Sequence, residues 1–262
     1  MKQQIVCLVA RQRSGTTALR ANLAATGRLH DFGEILPVGA IKAQGSFLGF
    51  CRDRQVLFND AVDPEQLPAL CTDYIDRLRQ IAGGKHVLVD VKFNHWGTVR
   101  PAWSYIHEEP FFLQFLKKQD ALFVFIRRES LVDQILSSHI ARARDQWQNL
   151  GSDASAPATE INVARAAREA LLIRQSETFL WGRLQSYPRR LHFVYEELFV
   201  DGNLVLEAQG DISRELGEDL KFPAASPIKK NKIDKQANVK NYEEARLAIE
   251  RATGTVAGVT KS

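Results

Sequence analysis

Apolar residues fall into two patterns along this chain. Short, nearly unbroken runs rich in β-branched residues occupy residues 5–10, 86–91, 121–126 and 191–195, the length and composition of strands buried on both faces. Longer segments repeat apolar residues every three or four positions. In 17–26 these are Leu19 and Leu23, and the pattern stops at Gly27. In 130–147 the stripe is Val132, Leu136, Ile140, Ala143 and Trp147, and 162–184 is a long Ala/Leu/Arg segment of the same kind with Pro188 beyond its end. Apolar strands alternating with amphipathic helices predict an α/β fold, a single domain whose central parallel sheet is flanked by helices.

No internal repeat interrupts this order. Gly, Ser, Ala, Asp and Pro in 150–159 predict a loop rather than a domain boundary. Lys229, Lys230, Lys232 and Lys235 form a basic segment, and the small and polar residues after 253 read as a frayed tail. The expected organisation is one domain over 1–252 and a tail over 253–262.

Composition narrows the class. A chain of 262 residues holds one full α/β core, and 45% hydrophobic with 25% charged residues is ordinary for a globular protein. A net charge of +4 suits an anionic ligand but falls short of a nucleic-acid footprint. Cys7, Cys51 and Cys71 are scattered without metal-ligand spacing, so neither a disulfide framework nor a metal site is expected, and a cytoplasmic location fits. The first apolar run is too short to span a membrane and no small-residue cleavage site follows it, so the chain is expected to start directly with its fold.

The chemistry begins after the first strand, in Arg11-Gln12-Arg13-Ser14-Gly15-Thr16-Thr17. An open α/β sheet binds ligands at the carboxyl ends of its strands. Gly15 lets the backbone curl around an anion, the amides of Gly15, Thr16 and Thr17 sit at a helix N-terminus, and Arg13 adds a fixed charge. A nucleoside-triphosphate loop would read G-x-x-x-x-G-K-[ST]; here the first glycine is missing and Thr16 stands where the lysine would be. A turn carrying an ordinary Ser/Thr helix cap also fits these residues.

Strand, Arg-x-Arg-Ser-Gly-Thr-Thr, helix resembles the 5′-phosphosulfate loop of sulfotransferases that use 3′-phosphoadenosine 5′-phosphosulfate (PAPS). It looks closest to the bacterial branch with trehalose 2-sulfotransferase and the Nod-factor sulfotransferases, where Gln12 replaces a usual proline. The resemblance implies a P-loop-NTPase-like sulfotransferase fold, PAPS as co-substrate, no metal, and Arg11, Arg13, Ser14, Gly15, Thr16 and Thr17 as donor-binding residues.

A second anchor follows the third predicted strand. Arg127 and Arg128 offer planar, permanently charged donors, and Gln134, Ser137 and Ser138 share one helix face. The family holds the 3′-phosphate with such an arginine and a downstream serine, which implies this role for Arg127, Arg128 and Ser137, with Ser138 as the alternative. Tyr195-Glu196-Glu197-Leu198 resembles a family segment expected to be structural. The 230–242 stretch, with Lys235, Gln236, Asn241 and Tyr242, resembles the segment that closes over the nucleotide, although a solvated charge run fits it equally.

An acceptor hydroxyl needs a base within hydrogen-bond reach. The resemblance implies Glu34 in that role, just past the first helix, and His95 in Val91-Lys92-Phe93-Asn94-His95-Trp96 as the alternative. His30 is near Glu34 in sequence but nothing positions it. Lys92, at a strand end, joins Arg13 and the loop amides as a candidate for charge stabilisation. Ile35 and Leu36 replace an aromatic pair often found after the glutamate, which implies a different acceptor pocket; a carbohydrate or glycolipid hydroxyl is the family default. Competing classes are a kinase-like nucleotide enzyme and a non-catalytic nucleotide-binding protein of the same fold. A nucleic-acid partner is not expected, because the basic segment lacks interleaved aromatics, and a homodimer stays open.

Overall fold

The computed structural model describes residues 3–102, 108–144, 158–225, 227 and 234–254. Five strands, β1 (Ile5–Ala10), β2 (Leu29–Glu34), β3 (His86–Lys92), β4 (Leu122–Arg127) and β5 (Arg190–Val194), form one sheet in the order β2-β3-β1-β4-β5. Every neighbouring pair is parallel. Among the described residues the helices of eight residues or more are α1 (Thr16–Ala25), α2 (Leu67–Ala82), α3 (Phe111–Lys118), α4 (Leu131–Ala143), α5 (Val163–Leu184), α6 (Leu206–Leu216) and α7 (Tyr242–Thr253). None of them is long and apolar enough to cross a membrane.

Each apolar run is a strand, with ends displaced by a residue at most. Of the elements named above, five lie outside the sequence expectation: β2, α2, α3, α6 and α7. β2 (LHDFGE) is an edge strand that buries only Leu29 and Phe32, so it lacks an apolar run. α2 buries Leu67, Cys71, Tyr74, Ile75, Leu78 and Ala82 at helical spacing within an otherwise polar segment. The helix expected over 130–147 is described as α4; Trp147, most of the 150–159 loop, Lys229, Lys230, Lys232 and the tail after Gly254 lie outside the described residues.

Alternation along the strands divides the core between the two sheet faces. Val6, Leu8, Ala10, Leu88, Val124 and Ile126 pack against Leu19 and Leu23 of α1 and Ile212 of α6. Cys7, Val9, Val89, Val91, Phe123 and Phe125 pack against Tyr74 and Leu78 of α2, Phe112 of α3 and Leu180 and Leu184 of α5. No residue of β1 is more than 1% exposed, and each large apolar side chain buried this way contributes about 1.5–3 kcal/mol. Cys7, Cys51 and Cys71 are free thiols, and Cys7 is plain core packing. A third cluster joins Leu131, Ile135 and Ile140 of α4 to Ala170 and Ile173 of α5 and Ile249 of α7, fixing α4 beside the sheet.

β1 has β3 on one side and β4 on the other, so the chain leaves it first toward one edge and then toward the other. Such a switch point opens a crevice at the carboxyl ends of the strands. The loop after β1, Lys92 at the end of β3 and Arg127 at the end of β4 therefore arrive at one rim.

Candidate functional site

The loop between β1 and α1 is shaped by two left-handed residues, Arg13 (φ 67°) and Gly15 (φ 76°). Gly15 is the N-cap of α1 and gives no side-chain cap, and the first turn of α1 holds no acidic residue. The first-turn amides of a helix have no carbonyl partner within the helix and carry its positive end. A side chain at Gly15 is excluded twice, by its φ and by the Tyr195 ring, whose atoms lie 2.4 and 2.6 Å from where a Cβ would stand. Tyr195 belongs to the segment expected only as structural, and the packing of its ring on Gly15 is what no sequence pattern displays.

The loop carbonyls are tied from the β4–α4 side. The Gln134 side-chain amide donates to Gln12 O at 2.9 Å and to Ser14 Oγ at 2.8 Å, and Arg128 Nη1 donates to Arg13 O at 2.8 Å. Arg13 Nε donates to Ser137 Oγ at 2.9 Å. Burial and the neighbouring Arg128 charge hold the Arg13 guanidinium below its ordinary value, with Tyr195 acting against them. On the other flank, Arg11 Nη1 and Gln12 Nε2 share Asn94 Oδ1 at 3.0 and 3.1 Å. Ser14 and Thr16 are buried and Thr17 is exposed.

Lys92 comes up from β3 beneath α1. Its Nζ donates to Thr16 Oγ1 at 2.5 Å and to Asp90 Oδ2 at 2.6 Å and lies 3.7 Å from Glu34 Oε1. One buried ammonium thus reaches both the start of α1 and Glu34, the residue the sequence offers as candidate base. Asp90 was given no role by sequence reasoning. The signal that could have found it is a carboxylate two residues before a lysine, inside an apolar strand.

The second anchor separates in space. Arg127 and Arg128 are consecutive at a strand end, so they leave opposite faces of the sheet. Arg128 goes to the loop, with its guanidinium 4.7 Å above the Tyr195 ring, its Nε 3.4 Å from Glu196 and its Nη2 3.9 Å from Asp133. Arg127 goes to the α5 side, 3.4 Å from Glu129, where its charge acts on Glu177 and His192. The structure therefore does not bring the two guanidinium groups together on one face. Ser137, rather than Ser138, is the serine bonded to the loop. Lys235 lies 2.6 Å from Asp133 Oδ1. Burial pushes the Asp133 carboxyl up, but hydrogen bonds from Lys235 and Ser130 and the Arg128 charge hold it below its ordinary value. Glu196, within the segment expected to be structural, accepts from the backbone amides of Glu129 and Ser130 and so joins the start of α4 to Arg128.

Glu34 ends β2 with its side chain about one-third exposed. Burial pushes its carboxyl above the ordinary value; Asp90 adds to this, and Lys92 and Arg20 oppose it. His95 sits on the turn Phe93–His95 with Nδ1 buried and unpartnered. Burial and the charges of Lys92 and Arg11 hold its imidazole below the ordinary value. His30 is four residues before Glu34 on β2, roughly 13 Å away along the strand. Ile35 and Leu36 are fully buried in the core. A cavity of about 340 Å³ beside His95 is lined by Phe93, Trp96, Gly97, Pro110, Gln175, Ser176, Phe179 and Leu180. A larger one of about 620 Å³ lies between the Phe47–Asp53 helix and α2 and touches none of these site residues. Among the described residues, His, Cys, Asp and Glu form no group of three or more that could hold a metal ion.

No family model matches the chain, and no curated protein matches it. Among solved structures it is similar to a sulfotransferase from Alicyclobacillus acidocaldarius (14% identity over 98% of each chain, TM-score 0.48). It is also similar to mouse sulfotransferase SULT7A1 complexed with PAP (14% identity, 98% of this chain and 69% of that one, TM-score 0.45). A third is the sulfotransferase domain from the Synechococcus PCC 7002 olefin synthase (16% identity, 100% and 92%, TM-score 0.44).

Proposed function

We propose that the chain is a sulfotransferase that moves the sulfuryl group of PAPS onto an acceptor hydroxyl. The observation that carries this reading is the convergence of Arg13, Ser137 and Lys92 on the uncapped N-terminus of α1. Two guanidinium or ammonium groups, hydroxyls and free first-turn amides in one crevice form a donor set for a doubly anionic ligand. The loop lacks the glycine and lysine of a nucleoside-triphosphate site, which favours a phosphosulfate over a triphosphate.

PAPS supplies an activated sulfuryl group, and the remaining work falls to the chain. Arg13, the Gly15-Thr16-Thr17 amides and the threonine hydroxyls bind the 5′-phosphosulfate. Ser137 and Lys235 are assigned to the 3′-phosphate, while Arg128 holds the loop through the Arg13 carbonyl. Glu34 takes the proton of the acceptor hydroxyl as that oxygen forms its bond to sulfur. Lys92 and the first-turn amides face the charge left on the 5′-phosphate. A second assignment makes His95 the base, favoured by its unpartnered Nδ1 and its tendency to stay neutral. The apolar cavity beside His95 is assigned to the acceptor, and its lining suits the apolar part of a glycolipid better than a bare sugar.

A thermal-shift panel with adenosine 3′,5′-bisphosphate, AMP and ATP-Mg²⁺ tests this reading. At a hundred times its dissociation constant the bisphosphate stabilises by roughly 2.7 kcal/mol. Equal stabilisation by AMP removes the 3′-phosphate assignment, and a preference for ATP-Mg²⁺ transfers the chain to the kinase-like class.

A further inference from the structure

β3 carries two charged residues among apolar ones. Asp90 and Lys92 are two apart, so they rise on the same face of the sheet, the face Leu88 shares with α1. Asp90 is 1% exposed and Lys92 2%. Asp90 Oδ2 accepts from Lys92 Nζ at 2.6 Å, whereas Asp90 Oδ1 is buried with no hydrogen-bond partner. An ion pair buried this deeply adds little to stability compared with packed apolar side chains. A buried oxygen left without a donor is a further cost. Stability therefore does not account for the carboxylate.

We propose that Asp90 is a positioning residue for the anion site. It supplies the counter-charge that lets an ammonium stay out of water, held against the first hydroxyl of α1 and beside Glu34. A buried ammonium without a counter-charge sheds its proton or turns toward water. With Asp90 present, two of the three Lys92 protons are taken by Asp90 and Thr16, and one is left for Glu34 or an incoming anion. The Asp90 backbone contributes as well. It pairs in register with Glu34 of β2 and Leu8 of β1, and its carbonyl accepts from Ile35 N at 3.3 Å. One residue thus places Lys92 with its side chain and the end of the Glu34 strand with its main chain. The inference rests on the sulfotransferase reading only for the identity of the anion.

The test uses the full chain, labelled for ¹H–¹⁵N spectra of lysine ammonium groups, with Lys92→Met identifying the Lys92 signal. A buried ammonium held by two hydrogen bonds is expected to exchange slowly enough to be seen at neutral pH. Asp90→Asn should lose that signal and bind adenosine 3′,5′-bisphosphate about tenfold more weakly or worse. Asp90→Glu, which keeps the charge one methylene further out, should recover the signal and part of the affinity, a rescue that a purely structural role would not require. Retention of the Lys92 signal in Asp90→Asn, with bisphosphate affinity within about twofold of wild type, overturns the proposal. If Asp90→Asn does not fold, Asp90→Glu decides: an unshifted signal and unchanged affinity overturn it. If the wild-type protein binds no bisphosphate, the sulfotransferase reading fails, and the ammonium signal with inorganic sulfate as the probe anion still judges the role of Asp90.

Discussion

Arg13 Nε and Ser137 Oγ meet at 2.9 Å although 124 positions separate them in the chain. The bond joins the loop after β1 to the face of α4 that also presents Gln134, and it distinguishes Ser137 from its neighbour. Ser137→Ala should weaken binding of adenosine 3′,5′-bisphosphate by about 1.5–3 kcal/mol, the size of a charge-assisted hydrogen bond, while Ser138→Ala leaves it unchanged. Isothermal titration of both variants checks this, and the opposite order would move the anchor to Ser138.

Gly15 sits at φ 76° with the Tyr195 ring against it. Gly15→Ala should destabilise the fold by about 1–3 kcal/mol through the left-handed backbone and the overpacked ring. Tyr195→Ala in the same background should return the steric part and leave the backbone part, so a double-mutant cycle by chemical denaturation should show coupling between the two positions.

Arg127 and Arg128 are expected to behave differently. Arg128→Ala removes the donor to Arg13 O and should cost about 1–3 kcal/mol together with a loss of bisphosphate affinity. Arg127→Ala should leave affinity unchanged, because its side chain is on the other face. Parallel melts with and without bisphosphate separate the two effects.

Glu34→Gln keeps size and hydrogen bonding but cannot take a proton, so turnover should fall roughly 10²–10⁴-fold with little change in bisphosphate affinity. His95→Asn should cost far less. Because burial raises the Glu34 carboxyl, the acidic limb of kcat/KM should lie above the ordinary glutamate value, with activity rising as pH climbs through it and the carboxylate forms. Once an acceptor is in hand, an active Glu34→Gln beside an inactive His95→Asn gives the role to the histidine.

Glu169 lies 3.2 Å from His139, 3.1 Å from Arg165 and 3.7 Å from Arg142. The hydrogen bond from His139, then that from Arg165 and the two nearby charges, outweigh burial and hold its carboxyl down at about 2. A carboxyl depressed on folding stabilises the native state above its unfolded value, and that contribution is lost as pH falls through the folded one. Glu169→Gln should therefore be less stable than wild type at neutral pH. Denaturation curves should show the gap closing as pH falls from about 4.5 to about 2.

Local order in the sequence determined much of this protein. Three of the five strands are apolar runs because both of their faces are covered, while the edge strand β5 keeps an apolar run with its residues only partly buried. The loop after β1 is contiguous, so its arginines, glycine and threonines can be read in one line. The candidate base Glu34 was legible only through family resemblance, since β2 is a half-polar edge strand with no pattern of its own. The fate of Arg127 and Arg128 was not legible either. Adjacent arginines look alike in a sequence, and only the strand's alternation and the elements packed on each face send one to Arg13 and the other to Glu129. The same holds for Tyr195 on Gly15, Glu196 on Arg128, and Asp90 and Thr16 on Lys92. Apart from Asp90, which stands two residues before Lys92, these are contacts between residues tens to nearly two hundred positions apart, made where parallel strands end side by side. A sequence states which groups a chain carries; the order of strands in the sheet decides which of them share a crevice.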